Sequence, residues 1–493
     1  YVGTLGAGGT VGAAGSVIVN DFTNSTRAFV DGGTINTGNS NVVTRGWNDS
    51  TNDFQDVNRS GLVVVASSEI EIAEQISVSV AVGGAVGIGL NLSINTIGND
   101  SDEIGTEAYV KGATVNQGAG NGALYVQALH RTYSKSYGGA LGVGLTTAGA
   151  GASVDTNIFS RNVKAWLDNA SSSSSSASDD NNHNYTDAII GAHSYEEVDS
   201  VAVAGGAGLY AGLAGAGVVV KSTTRTEAII NDVDMTLTGD LSLASSSTSL
   251  ITMGSGALGG GAVGVGASVA VVILDRTTNA AISSSEITAE TGNIDVSAKT
   301  DDELRSVVGT ASVGAGAVAG SVFVADITDK TSARIENGTE SNFSDISAQS
   351  VDIDADSYIK VNESYPGGIP AVTGAVSIGG VGAGASVDVV TIDVRTNAYI
   401  GDHAQLSVTG DIDLDASSDV RASSNVIAFS GGFVGGIAGA VSVITIGSNR
   451  NSDDLTDSGA GKAQDAVDEV LEVNTGGLQS DDSDGVAAQG TNS

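Results

Sequence analysis

Apolar and polar residues alternate over short stretches throughout the chain. The pattern is plain in Gly292-Asn293-Ile294-Asp295-Val296, Gly239-Asp240-Leu241-Ser242-Leu243 and Gly410-Asp411-Ile412-Asp413-Leu414. It recurs without the glycine in Ser350-Val351-Asp352-Ile353-Asp354. A period of two marks a strand with one buried face. On this reading Ile412, Leu414 and Ala416 point inward, and Asp411, Asp413 and Asp415 point outward. Helical spacing is clear only near the end of the chain. There Ala463, Ala466, Val467, Val470 and Leu471 predict a short amphipathic helix over 463–473.

Two further elements repeat along with these strands. A Gly/Ala/Val-rich run occurs eight times, beginning at Val2, Ser77, Gly138, Ser200, Gly254, Gly309, Gly374 and Val426. Each of the first seven is followed by a segment centred on alanine: Ala28, Ala108, Ala165, Ala228, Ala280, Ala333 and Ala398. Six of these segments read Thr-x-Ala, and Val163-Lys164-Ala165 is the degenerate seventh. From alanine to alanine the steps are 80, 57, 63, 52, 53 and 65 residues, so the unit is about 53 residues and longer steps carry insertions.

A unit of this kind cannot bury its apolar face alone, but stacked units can. The chain is therefore expected to be all-β, an elongated parallel β-helix (β-solenoid) of about eight repeats over 1–450. Loop insertions are expected at 39–60, 170–187 and 362–370. Residues 451–493 are expected to form an acidic C-terminal cap or linker carrying the helix. A unit this long is expected to hold two or three coils, giving a rod of roughly 80–115 Å at ~4.8 Å per coil.

Composition supports thin, regular β-structure. Of 493 residues, 69 are Gly and aromatics are only 4%, while hydrophobic residues still reach 41%. The absence of Cys removes a disulfide scaffold, a Zn–thiolate site and a cysteine nucleophile. The formal charge of −37 argues against nucleic-acid binding and an anionic membrane surface. Gly254 to Leu274 is 21 residues without a charge, enough to span a bilayer. Gly costs ~1 kcal/mol per helix position relative to Ala, and the aromatic girdles of a membrane barrel are missing. These runs are therefore read as strands whose small side chains permit close backbone approach, not as membrane spans. The chain opens at Tyr1 inside a repeat, without a signal pattern, and is read as a processed product or a piece of something larger.

The Gly/Ala/Val runs, the Thr-x-Ala segments and the Gly-x-Ile-x-Val-x-Ala strands resemble the repeat regions of large bacterial surface adhesins. These are the filamentous haemagglutinin-like and leukotoxin-type adhesins and related autotransporter passengers. The resemblance covers roughly residues 1–450. It implies an extracellular right-handed β-helix on a bacterial cell surface, and it brings no catalytic motif.

Candidate chemistry is sparse. The four histidines, His130, His183, His193 and His403, fit no zinc-protease pattern and are read as ordinary solvated residues. Gly461-Lys462 is followed by Ala463, so no phosphate loop is formed. Calcium is the candidate ligand, with Asp352, Asp354 and Asp356 on one strand and Asp411, Asp413 and Asp415 on another. Residues two apart on a strand are separated by ~6.6 Å, a poor geometry for one ion needing six to eight oxygens. Equivalent strands are also expected to lie more than one coil apart. These carboxylates are therefore read first as a solvated face. Phe29, Tyr109, Trp166 and Tyr399 follow the central alanine and are read as packing between coils rather than as a sugar-stacking row.

The expected function is non-enzymatic: a rod or filament-forming module of an extracellular bacterial adhesin. Its partners would be its own copies, through solenoid ends or Gly-rich faces, or surface glycans and proteins. No cofactor is required on this reading. The alternative is a carbohydrate-active β-helix enzyme, a polysaccharide lyase or hydrolase, which an acidic groove of convergent carboxylates would favour.

Overall fold

The computed structural model describes residues 1–37, 40–48, 51, 53–98, 105–117, 122–168, 183–289, 291–336, 344–363 and 371–447. Among them the chain is all-β, with no helix, and is built around one large parallel sheet of 17 strands. The repeat explains the sheet. A typical unit runs out along Ala188–Gly208, turns at Leu209 and Tyr210, returns along Ala211–Asn231, and closes with the short strand Asp234–Leu237. Each part pairs in parallel with its equivalents in the units before and after.

The register follows the repeat residue for residue. Ala28, Ala108, Ala165, Ala228, Ala280, Ala333 and Ala398 stand in one column across the strands. Leu62, Leu124, Ala188, Leu241, Ile294, Val351 and Ile412 form a second. Each repeat is therefore one layer, and the expectation of two or three coils per repeat is corrected. The physical reason is strand length. Two strands of 21 residues and a short closing strand consume the whole unit. Eight layers then occupy roughly 35 Å along the stacking direction, not 80–115 Å.

Three zones lie between the outgoing and return strands. At the wide end, Ala188, Ile190, Ala228, Ile230, Met235 and Leu237 belong to a buried cluster that runs on into neighbouring layers. Next comes a polar seam in which hydroxyls bridge layers and strands: Thr278 to Thr300 at 2.8 Å and Thr300 to Thr331 at 2.8 Å. A second apolar cluster follows, with Val218, Val220, Ile251, Met253, Val272 and Phe323. In the first three layers the column of Val220 and Val272 becomes a second polar seam, an amide ladder in which Asn20 donates to Asn95 at 2.8 Å and Asn95 donates to Asn157 at 2.9 Å. Buried polar atoms need partners, and identical stacked side chains supply them.

The insertions differ from expectation. Within 39–60, Val42–Asn48 and Asp53–Arg59 pair as an antiparallel hairpin, not an open loop. Trp47 explains its position. The indole stacks on His193 with centroids 5.9 Å apart, and Arg131 holds Asp53 at 3.0 Å. Within 170–187, His183–Tyr185 forms a short strand in the closing sheet, and residues 170–182 lie outside the described residues. Most of 362–370 and all of 451–493, including the helix expected at 463–473, also lie outside them.

Candidate functional site

The Gly-rich runs form the narrow end of every layer. Here the outgoing and return strands lie back to back, and glycine is required by contact. A β-carbon on Gly206 would sit inside the carbonyl oxygen of Leu213 on the returning strand. One on Gly149 would strike the carbonyls of Ala207 and Gly142. The interior contains little more than backbone and small side chains: Ala204, Ala214, Ala216 and Ala257 form a buried cluster, and the buried Ser79, Ser268 and Thr310 stand in the same columns. The result is a thin wing projecting from the body, with close approach between its two sheets as the small side chains predict.

Both outer faces of the wing are apolar. Leu258 is 59% exposed on the outgoing side, and Leu213 and Val318 are 46% and 48% exposed on the return side. At the tip of the last layer Phe433 is 98% exposed. No charged residue occurs in 200–220, 253–274, 306–325 or 426–447, and the equivalent stretches of the other four layers hold only the buried Asp155 and Asp388, although the chain carries 57 acidic and 20 basic residues. All that charge lies outside the wing's surface. A contiguous exposed apolar face on this scale marks an interaction surface.

The six aspartates form a different feature. Asp352 pairs with Asp413 and Asp354 with Asp415 across directly adjacent strands. The expectation that such strands lie more than one coil apart is thus corrected. Asp295 extends the first column. Asp356 stands beside Ser417, and Asp411 accepts the Val351 N–H through its backbone carbonyl. Burial, then the charges of Asp352, Asp295, Asp356 and Asp415, push Asp354 up to about 6. Among the described residues no three His, Asp or Glu side chains converge as a metal cage. The carboxylates form a grid on one face, and calcium there would act between strands rather than along one.

The aromatic column is a surface stack. Phe29 and Tyr109 are parallel at 5.0 Å, and Tyr109 and Trp166 at 4.3 Å. Stacking covers both faces of Tyr109, and Phe29, at the first layer, is 54% exposed. Trp166 Nε1 also donates to Glu107 at 2.9 Å. Two histidines are not solvated as expected. His130 is buried between the hydroxyls of Thr106 and Thr132, and burial together with Arg161 keeps its pKa well below the ordinary value. His193 is buried under Trp47. His403 is exposed, as expected.

Sequence reading missed the charges inside the first polar seam. Arg276 is fully buried with Glu196, Asp302 and Asp329. The signal was parity: Arg276, Thr278 and Ala280 are alternate residues and share the inward face, as do Asp329, Thr331 and Ala333. A shallow depression of about 180 Å³ on the outer face is lined by Glu197, Asp199, Glu303 and Arg305. Its carboxylates are already engaged: Asp199 lies 3.5 Å from Lys135, and Glu303 pairs with Arg305.

No protein-family model matches the chain, and neither a curated protein nor a solved structure matches it.

Proposed function

We propose that the chain is a β-solenoid module of a non-enzymatic structural or adhesive protein on a bacterial surface. The observation that carries this is the register. Eight repeats stack one layer each, and the same columns of Ala, Thr and Leu or Ile recur through successive layers, with a column of Asn in the first three. Such a stack is a mechanical element: it is held by backbone ladders, and each repeat adds ~4.8 Å. The uncharged wing supplies an interface and the acidic body supplies solubility. The surface location and adhesive role rest on the resemblance of the repeats to those of surface adhesins.

Electron microscopy of the purified chain, with and without millimolar calcium, tests the reading. A flattened particle about 35 Å thick along the stack and ~70 Å along the strands is expected, alone or joined into larger assemblies. A compact, featureless globule would overturn it.

A further inference from the structure

We infer that the return-strand face of the wing is a contact surface for a second copy of this chain, a conclusion that rests on the layered reading above. The face is built from the outward residues of eight parallel strands. One column runs Ala150, Leu213, Val265, Val318, Ala383 and Ile437, and is a ridge. The next column runs Ala152, Gly215, Ala267, Gly320, Ala385 and Gly439, and in these six layers is a groove of Gly and Ala; Leu90 closes it in the second layer. Two such faces related by a two-fold axis between these columns place each ridge in the partner's groove, which is the self-complementarity an isologous dimer requires.

Area supports the same occupant. Sheet spacings give the uncharged face roughly 1,000 Å² in each copy. A standard interface buries ~800 Å² per partner, so the face suffices for a stable dimer.

A lipid surface fits less well. Asp21, Asp275 and Asp326 stand where the return strands leave the wing, and only Lys221 opposes them in those columns. Among the described residues the first and last layers pair on one side only. Hydrocarbon offers unpaired backbone no partner, whereas a second copy seated on the face leaves those edges in water.

The chain has no cysteine, so single introduced thiols give a clean readout. Val265→Cys is expected to cross-link under mild oxidation to twice the chain mass, and Lys330→Cys, exposed on the body, is not. Leu213→Asp with Val318→Asp should weaken association at least tenfold by sedimentation while leaving the heat transition in place, because both side chains face outward. A wild-type protein that stays monomeric at tens of micromolar in both 0.15 M and 1 M salt, where the acidic bodies are screened, would overturn the inference. So would a double variant that associates as tightly as wild type. Partition of wild type onto phosphatidylcholine vesicles with loss of the Val265→Cys cross-link would identify lipid as the occupant instead. A monomer that still images as the layered particle would refute the dimer alone. Loss of that particle would refute the layered reading as well.

Discussion

Arg276 Nε and Asp302 Oδ1 lie 3.5 Å apart at the centre of the molecule, each side chain about 1% exposed, with no hydrogen bond aligned between them. Arg276 also faces Glu196 at 3.5 Å and donates to Ser222 at 3.0 Å and to Thr224. Asp329 is the third acidic neighbour of this buried guanidinium, and Arg161, also buried, faces Glu196 as well. Burial outweighs the attraction of Arg276 and pushes Asp302 up to about 7.

This raises a pH prediction. An unfolded aspartate titrates near ~4, so the folded state holds the Asp302 proton more tightly. Its contribution to stability is complete below the unfolded value and is lost as pH rises through about 7. Asp388 and Asp354, each pushed up to about 6 mainly by burial, act in the same direction. His130 acts oppositely, but only as pH falls below its ordinary ~6.5. The melting temperature should therefore rise as pH is lowered from 8 to 6. Asp302→Asn should flatten that rise, stabilising the protein at pH 8 by roughly 1–3 kcal/mol and changing little at pH 5. Calorimetry at the two pH values checks both.

The wing gives a steric prediction. Gly206→Val puts a branched side chain where the Leu213 carbonyl stands, and a rigid backbone neighbour cannot move aside cheaply. A loss of at least ~2–3 kcal/mol is expected. Gly215→Ala, whose β-carbon meets open space, should cost less than ~1 kcal/mol. Chemical denaturation of the two variants side by side measures the difference.

Trp47 is the aromatic anchor of the hairpin over 42–59, beside the Arg131–Asp53 ion pair. Trp47→Ala removes the ring that lies over His193 and Tyr195. The hairpin should loosen, and trypsin should cut after Arg45 at least tenfold faster than in wild type. The rest of the heat transition should shift by only a few degrees, because the layers beneath keep their own ladders. Timed proteolysis followed by mass spectrometry reads the site directly.

The aspartate grid predicts a divalent-ion response. Calcium at millimolar concentration should raise the melting temperature by relieving repulsion among Asp295, Asp352, Asp354, Asp413 and Asp415. Asp352→Asn with Asp354→Asn should shrink the response by about half or more. An equal response to sodium chloride at matched ionic strength would show screening alone and sink the calcium reading.

Much of this architecture is legible in the amino-acid sequence, and the unread parts share a cause. Aligning Ala28 through Ala398 already writes out the strand register, because stacked layers require the same side chain at the same height. The number of coils per repeat is not legible. A 53-residue unit with two 21-residue strands and one with several short strands show the same alternation, and only the pairing separates them. Arg276 is hard to read because a charge is expected outside, although its parity with Thr278 and Ala280 places it within. Trp47 sits in a polar insertion, and nothing local to that segment points to His193, 146 positions away. The wing's small interior was legible from its glycines, but its exposed outer faces were not, since period two gives no sign of which side meets water.

The layers are alike in outline but cannot be exchanged freely. Residues 241–293 make one complete layer, and Ser249 separates Glu196 from Asp302 in its column. Excising that layer would keep every strand in register while removing Arg276, leaving two buried acids face to face. Unequal recombination, which lengthens and shortens repeat genes, would therefore meet selection at this layer first, and the unit carrying Arg276 is the one a lineage would find hardest to lose.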